Sequence, residues 1–340
     1  MQLSELRPES IIKIPSDNVG AVNRYVGFLE AGRYFAIRQS ADKSSDKIYI
    51  WETNNWKCNS VLPVKAEPSL ALLSLDSLGC QSFRDESDIF VFPERGKLFG
   101  INKRSLLSDG TVHKNEVKGY RSDDELPIAG IWTHFASNRR TLLFKTDDNY
   151  LFFRATHPQW KTKLICACDA ERTHQIQVSQ SGRYISTVQS DTNDKYTISV
   201  HDSDSGNNET IVTNQSTRII SHIILEEEKC IVSGSLDRTV NVMSFESKKQ
   251  VFRLAESRRA ITSLDYSQHT SLLAVGTADR MGHANVWLID TKDWSIRASF
   301  ASSTSPVDCL RFDPKGERIV VVHSNNDLRI WPIRTIIRKN

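Results

Sequence analysis

Apolar residues in this chain come in short runs cut by polar turns, and the stretch from Lys229 to Leu254 shows the pattern most fully. Cys230 to Gly234 is a brief apolar run, and Ser235-Leu236-Asp237-Arg238 follows as a tight turn in which Asp237 can bond the backbone amides beyond it. In Thr239 to Phe245, Val240, Val242 and Ser244 alternate with Thr239, Asn241 and Met243, the period of two that marks a strand. Glu246 to Lys249 is a charged turn, and Val251 to Leu254 begins a third strand. Three strands of this kind cannot bury their faces alone and need neighbours of the same design.

The chain supplies such neighbours. A short run ending in a bulky residue before a polar turn recurs as IYIW at Trp51, LFGI at Ile101, YLFF at Phe153, ISVH at His201, VNVM at Met243, ANVW at Trp287 and LRIW at Trp331. This spacing is at or slightly above that of four-stranded propeller blades. A second marker runs in step with it: Phe28-LEAG-Arg33, Val178-SQSG-Arg183 and Phe312-DPKG-Glu317 place Gly32, Gly182 and Gly316 where a tight hairpin needs a positive φ.

With these motifs the chain resembles the WD-repeat β-propeller family, named for the Trp-Asp pair that closes the third strand of each blade. The resemblance is clearest over residues 173–333. His201-Asp202-Ser203-Asp204-Ser205-Gly206 stands in the place of the family's W-D-x-x-[ST]-G turn, and SGSLDRTVNVM matches its turn and third strand. No Gly-His dipeptide marks the junctions between repeats. Of the family's hydrogen-bonded His, Ser/Thr, Asp and Trp set, partial remnants are expected as Ser235 with Asp237, Thr277 with Asp279 and Trp287, and Ser324 with Asp327 and Trp331. The resemblance implies structural roles for Trp51, Trp287 and Trp331, each bonding back to its own blade.

The fold expected is all-β, a single seven-bladed propeller over residues 1–340. Its blades cover about 22–64, 70–120, 128–168, 173–213, 218–256, 260–302 and 307–333. Too few residues follow Trp331 for an outer strand in the last blade, and Ile11 to Ile14 is the natural replacement, which would close the ring by joining its ends. No Pro-rich or Ser-rich linker divides the chain.

Composition narrows the function classes. Lys and Arg number 44 against 41 Asp and Glu, so no overall field draws in nucleic acid or an anionic membrane. The opening MQLSELRPES has no apolar signal core, and no apolar run reaches the roughly 18 residues of a spanning helix, which gives an intracellular expectation. The six scattered cysteines read as reduced strand residues. No G-x-S-x-G elbow, phosphate-binding loop, dinucleotide fingerprint or H-E-x-x-H helix occurs. Cys166 and Cys168 lack the second pair of ligands that structural zinc requires. Neither a catalytic residue, a cofactor nor a metal is expected.

Binding is the function that remains, since loops held by rigid strands concentrate recognition residues. The turns and junctions of one face carry Lys43, Lys47, Lys145, Lys195, Arg238, Arg258 with Arg259, and the longer loop holding Arg280, Met281 and His283. Such a basic rim fits an acidic peptide or protein surface. The expectation is a monomeric propeller that serves as a protein-interaction scaffold or adaptor inside a hetero-complex. Two alternatives stand beside it. One is a propeller subunit of an RNA-processing or chromatin complex that contacts nucleic acid, although the aromatic-basic interleaving of a single-strand-binding surface is missing. The other is a propeller hydrolase. Trp56 and Trp294, just after the third strands of their repeats, are expected to pack on their own blade edges.

Overall fold

The short apolar runs become strands that pair with their chain neighbours into sheets. The computed structural model describes residues 7–15, 22–29, 32–40, 47–63, 89–94, 97–102, 114–116, 132–135, 141–145, 151–156, 161–167, 173–179, 181, 183–191, 195–213, 215–255, 257–278 and 284–338. Among these residues the strands form seven sheets, taken here in chain order. The first consists of Val22–Leu29, Tyr34–Ser40, Lys47–Glu52 and Lys57–Pro63, and the fourth of Thr173–Val178, Tyr184–Ser190, Tyr196–Asp202 and Asn208–Val212. The second has three described strands, Ile89–Glu94, Lys97–Asn102 and Lys114–Glu116; the third has four, beginning with Trp132–Phe135 and ending with Lys161–Ala167.

The chain divides into two compact units, one of residues 1–26, 188–198 and 210–340 and the other of 27–187 and 199–209. The first unit contains the last three sheets. The fifth holds Ile219–Leu225, Cys230–Ser235, Val240–Ser244 and Gln250–Leu254; the sixth holds Ala260–Ser267, Leu272–Ala278, Ala284–Asp290 and Ile296–Ser303. The seventh holds Val307–Phe312, Arg318–His323 and Asp327–Pro332, with Ser10–Lys13 antiparallel to its last strand, Ser10 opposite Ile330 and Lys13 opposite Asp327.

Middle strands in this unit read as unbroken apolar runs because both of their faces are covered. Alternate residues of Leu272–Ala278 serve different neighbours. Leu273 and Val275 join Val232, Val242, Leu254 and Ile261 in a core shared with the fifth sheet. Leu272 and Ala274 join Leu310, Ile319, Val321 and Trp331 in a core shared with the seventh. Outer strands have one neighbour fewer, and Gln250–Leu254 leaves most of its length exposed.

The joints between these sheets repeat. Each first strand carries a bulge, between Ile219 and Ser221, Ile261 and Ser263, and Val307 and Cys309. The hydroxyl of Ser221 then accepts from the Leu264 amide at 3.2 Å, and the hydroxyl of Ser263 from the Leu310 amide at 3.2 Å. The Asp265 carboxylate accepts from the Phe312 amide at 2.6 Å. Gly234 and Gly276 let the sheets approach: a methyl group at Gly276 would stand 2.8 Å from side-chain carbons of both Leu310 and Val307, and one at Gly234 2.4 Å from Ile261 Cγ2.

Strand register corrects one repeat. The residue two places before a recurring backbone bond marks the end of each third strand. Thr53, Ser203, Phe245, Thr291 and Ile333 donate to the first turn of their sheets, at Arg33, Arg183, Lys229, Ser271 and Glu317. The closing residues are therefore Trp51, His201, Met243, Ile289 and Trp331, and Trp287 is not among them. Two further features agree. The Asp290 carboxylate caps the Lys292 amide as Asp202 caps that of Asp204, and positive φ falls on Trp56, Gly206, Lys248 and Trp294, each five residues after its closing residue.

The glycine hairpins have positive φ at Gly32 and Gly316, while Gly182 lies outside the described residues. Beyond the last strand the chain forms a short helix, Ile333–Arg338, whose Ile333 and Ile336 are buried in the core of the sixth and seventh sheets. No helix among the described residues is long and apolar enough to cross a membrane.

Candidate functional site

The set expected of Ser324, Asp327 and Trp331 does not form, and that of Thr277, Asp279 and Trp287 includes a residue outside the described ones. Trp51 and Trp331 are buried, yet the Trp331 indole Nε1 has no partner and its ring packs on Phe300 at 4.7 Å. Ser324 donates to Asp308, while Asp327 meets Lys13, Asn325 and Arg329. Ser235 and Asp237 do cooperate, through the backbone: the Asp237 amide donates to the Ser235 hydroxyl at 3.1 Å. The Asp237 carboxylate accepts from the amides of Ser216 and Thr239 at 2.8 and 3.0 Å.

At the junction leading into the fifth sheet, the residue four places before Ile219 is Gln215, almost fully buried. Its amide nitrogen donates to the carbonyls of Ser233 and Thr239 at 3.1 and 3.2 Å, and its amide oxygen accepts from the Ser233 hydroxyl at 2.8 Å. Gln215 thus plugs the space between junction, second strand and third strand. In the seventh sheet the same space is taken by His323 and Arg329. A ring nitrogen of His323 contacts the Ser305 carbonyl at 3.0 Å, and Arg329 donates to the Ser302 carbonyl at 2.6 Å. Burial pushes the His323 imidazole down to about 4.

Among the described residues, no side chain plugs this space in the sixth sheet in the way of Gln215. Four places before Ile261 stands Ser257, whose hydroxyl folds back to the Arg259 carbonyl at 2.6 Å and caps the Arg259 amide at 3.2 Å. Thr277 occupies the position of Ser235 and His323, and its hydroxyl bonds both the amide and the carbonyl of Asn285 at 3.1 Å. What remains is a cavity of about 270 Å³ lined by Ser257, Arg258, Arg259, Thr277, Asn285 and Trp287. Two of the six are cationic and none is acidic. Arg258 is exposed and makes no hydrogen bond or ion pair among the described residues, and Arg259 is half-buried. Trp287, in the register position of Asn241 and Arg329, is half-buried, packs against the core shared with the fifth sheet and lines the cavity instead of closing the strand.

The structure therefore brings Arg258, Arg259 and Trp287 to one place. Arg238 is not among the lining residues and stands on the exposed turn of the fifth sheet, at φ 73°. Lys47 begins the third strand of the first sheet, Lys145 ends the second strand of the third sheet, and Lys195 is exposed with its amide bonded to Asp191 at 2.9 Å. Lys43, Asp279, Arg280, Met281 and His283 lie outside the described residues. Gln215, Ser257 and the close-approach glycines were not singled out in the sequence. Their roles depend on what neighbouring repeats place at the same position.

Elsewhere, Asp202 accepts a forked pair of bonds from Arg183 at 2.8 to 3.2 Å. Burial works to raise the Asp202 carboxyl, but the Arg183 bond and the turn amides outweigh it and hold the group at about 2. Trp56 packs edge-on against Phe35 of its own sheet at 5.8 Å. Trp294 instead stacks on Phe252 of the preceding sheet at 5.5 Å, which corrects the expectation that it covers its own blade. The Cys230 thiol is pushed up to about 11 by burial and by Glu228 and Glu246, which keeps it protonated at neutral pH. Among the described residues no group of three His, Cys, Asp or Glu side chains could hold a metal ion.

Comparison with known proteins places this architecture. The sequence model of the WD domain, G-beta repeat, matches residues 294–332, from the turn at Trp294 to the end of the last strand. The last repeat thus carries a WD-repeat signature, and the chain is similar to the WD-repeat family. A stretch of 109 residues is 27% identical to a p21-activated protein kinase-interacting protein 1-like protein of Xenopus laevis, covering 32% of this chain and 29% of that protein. The match thus spans less than a third of that relative's length. A chain in a crystal structure of the mitotic checkpoint complex superposes with a TM-score of 0.59 over 97% of this chain and 92% of that one; at 11% identity the likeness concerns the fold. WD-repeat propellers generally act as protein-interaction scaffolds in complexes and are generally not enzymes.

Proposed function

We propose that this WD-repeat chain is a non-catalytic interaction platform, a seven-bladed propeller that holds an acidic protein surface on the rim formed by Arg258 and Arg259. The seven described sheets support the blade count, and Ser10–Lys13 seated on the last strand supports closure of the ring by the N-terminal segment. The cavity at the entrance to the sixth sheet carries the reading. It places an exposed arginine, a half-buried arginine and a half-buried tryptophan together at an opening with no acidic lining residue. Arginine and tryptophan are the side chains that most often dominate interface energetics. Charge complementarity would also speed encounter with an acidic partner.

The reading is tested by affinity capture from the native cell, comparing wild type with Arg258→Glu/Arg259→Glu after the variant's fold is checked by circular dichroism. Selective loss of a stoichiometric partner is the expected result. An unchanged set of partners removes the rim from consideration and leaves the opposite face or the outer strands as the contact.

A further inference from the structure

We propose that the cavity at the entrance to the sixth sheet receives a single glutamate or aspartate side chain inserted by the partner protein. This rests on the platform reading above and adds the mode of attachment. Neighbouring repeats show what the space is for. In the fifth sheet it is filled by the buried amide of Gln215, and in the seventh by the His323 imidazole and the Arg329 guanidinium. In the sixth, the short Ser257 bends onto its own turn and Thr277 onto Asn285, so neither side chain at the positions of Gln215 and His323 reaches across. A planar polar group from outside would take the place that Gln215 holds in the fifth sheet.

Size and charge choose the guest. About 270 Å³ lies just below the range of cavities that enclose a drug-sized ligand, roughly 300–1,000 Å³, and suits one side chain with a few waters. Arg258 and Arg259 favour an anion, and a carboxylate can accept a forked pair of bonds from a guanidinium. Trp287, the aromatic residue of the lining, suits the methylene stem of the guest. Neutral amide and hydroxyl groups of Asn285 and Thr277 line the interior, so the anion meets no like charge among the lining residues.

The test uses the full chain with 15N-labelled tryptophan, following the indole resonance of Trp287, assigned by its absence in Trp287→Phe. The probe is the peptide acetyl-Ser-Gly-Glu-Glu-Gly-Ser-amide, with its Gln-Gln counterpart and inorganic phosphate as comparisons. The Glu peptide is expected to shift the Trp287 resonance in a saturable way, with the Gln peptide at least tenfold weaker. Two variants fill the cavity from opposite walls with a neighbour's own solution, Ser257→Gln and Thr277→His. Both keep Arg258 and Arg259, and both are expected to weaken the Glu peptide tenfold or more.

Equal binding of the Glu and Gln peptides to wild type overturns the proposal without recourse to any variant. So does a response to phosphate but not to the Glu peptide. Capture of the partner separates the two readings. If Arg258→Glu/Arg259→Glu loses the partner while a folded cavity-filling variant keeps both partner and peptide, insertion is wrong and the rim stands. If the filled variants lose both, insertion is supported.

Discussion

Removal of residues 1–14 is the perturbation that bears most on how the fold is held. The segment contributes the outer strand of the seventh sheet, extended by bonds from the Glu9 amide to the Ile330 carbonyl and from the Ile14 amide to the Asn326 carbonyl. It brings the Lys13 ammonium to the Asp327 carboxylate and the Glu9 carboxylate to Arg318 at 3.1 Å. It also buries Ile14, which is 3% exposed. Burial of one isoleucine is worth about 1.5–3 kcal/mol. The ladder bonds lie at an edge where water can replace them, so each adds at most about 1 kcal/mol net. The Glu9 pair is exposed and contributes little. The sum, on the order of 4–6 kcal/mol, is a large part of the 5–15 kcal/mol typical of a whole domain. Urea unfolding followed by tryptophan fluorescence should show a lower midpoint for the truncated chain, and Ile14→Ala alone should cost about 2–3 kcal/mol. A truncated protein that unfolds with the wild-type midpoint and slope would refute both the ledger and the N-terminal closure.

Three other outcomes follow from the geometry. Gly276→Ala puts a methyl 2.8 Å from side-chain carbons of Leu310 and Val307, so these buried side chains must shift, at a cost of about 1–3 kcal/mol readable in the same urea titration. Lys248→Gly releases an exposed non-glycine residue from φ 58° at the turn position where the fourth sheet has Gly206, and should be neutral or raise stability by up to about 1 kcal/mol. His323 supplies a pH dependence. Its folded value near 4 lies below the ordinary 6.5, so the unfolded chain binds the proton first. Its effect is absent above about pH 6.5, grows as pH falls, and reaches its full extent, about 3 kcal/mol of lost stability, near pH 4. Comparing unfolding free energies at pH 7 and pH 4.5 for wild type and His323→Asn should show the smaller loss in the variant; equal losses would exclude His323 as a source.

The repeat was legible because the middle strands, covered on both faces, are continuous apolar runs such as Leu272–Val275 and Ile319–Val322. The sixth closing residue was not. Trp287 stands out in the sequence, whereas Ile289 is fixed by the strand opposite it and by the cap from Asp290 to Lys292. Arg258 and Arg259 were legible as adjacent charges at a junction. The opening beside them was not, since nothing in Ser257 itself tells whether a neighbour will fill the gap as Gln215 does in the fifth sheet. Trp294 was misread for the same reason: its partner Phe252 belongs to another repeat, and single-repeat patterning carries no information about what an adjacent sheet presents.

The claim that the rim at Arg258 and Arg259 is the partner contact is tested most directly by photo-crosslinking in the native cell. A benzoylphenylalanine at position 258 is compared with one at Val251, an exposed residue of the outer strand of the fifth sheet. A single abundant adduct from position 258, absent from position 251, is the predicted result. Adducts from position 251 with none from 258 would contradict it.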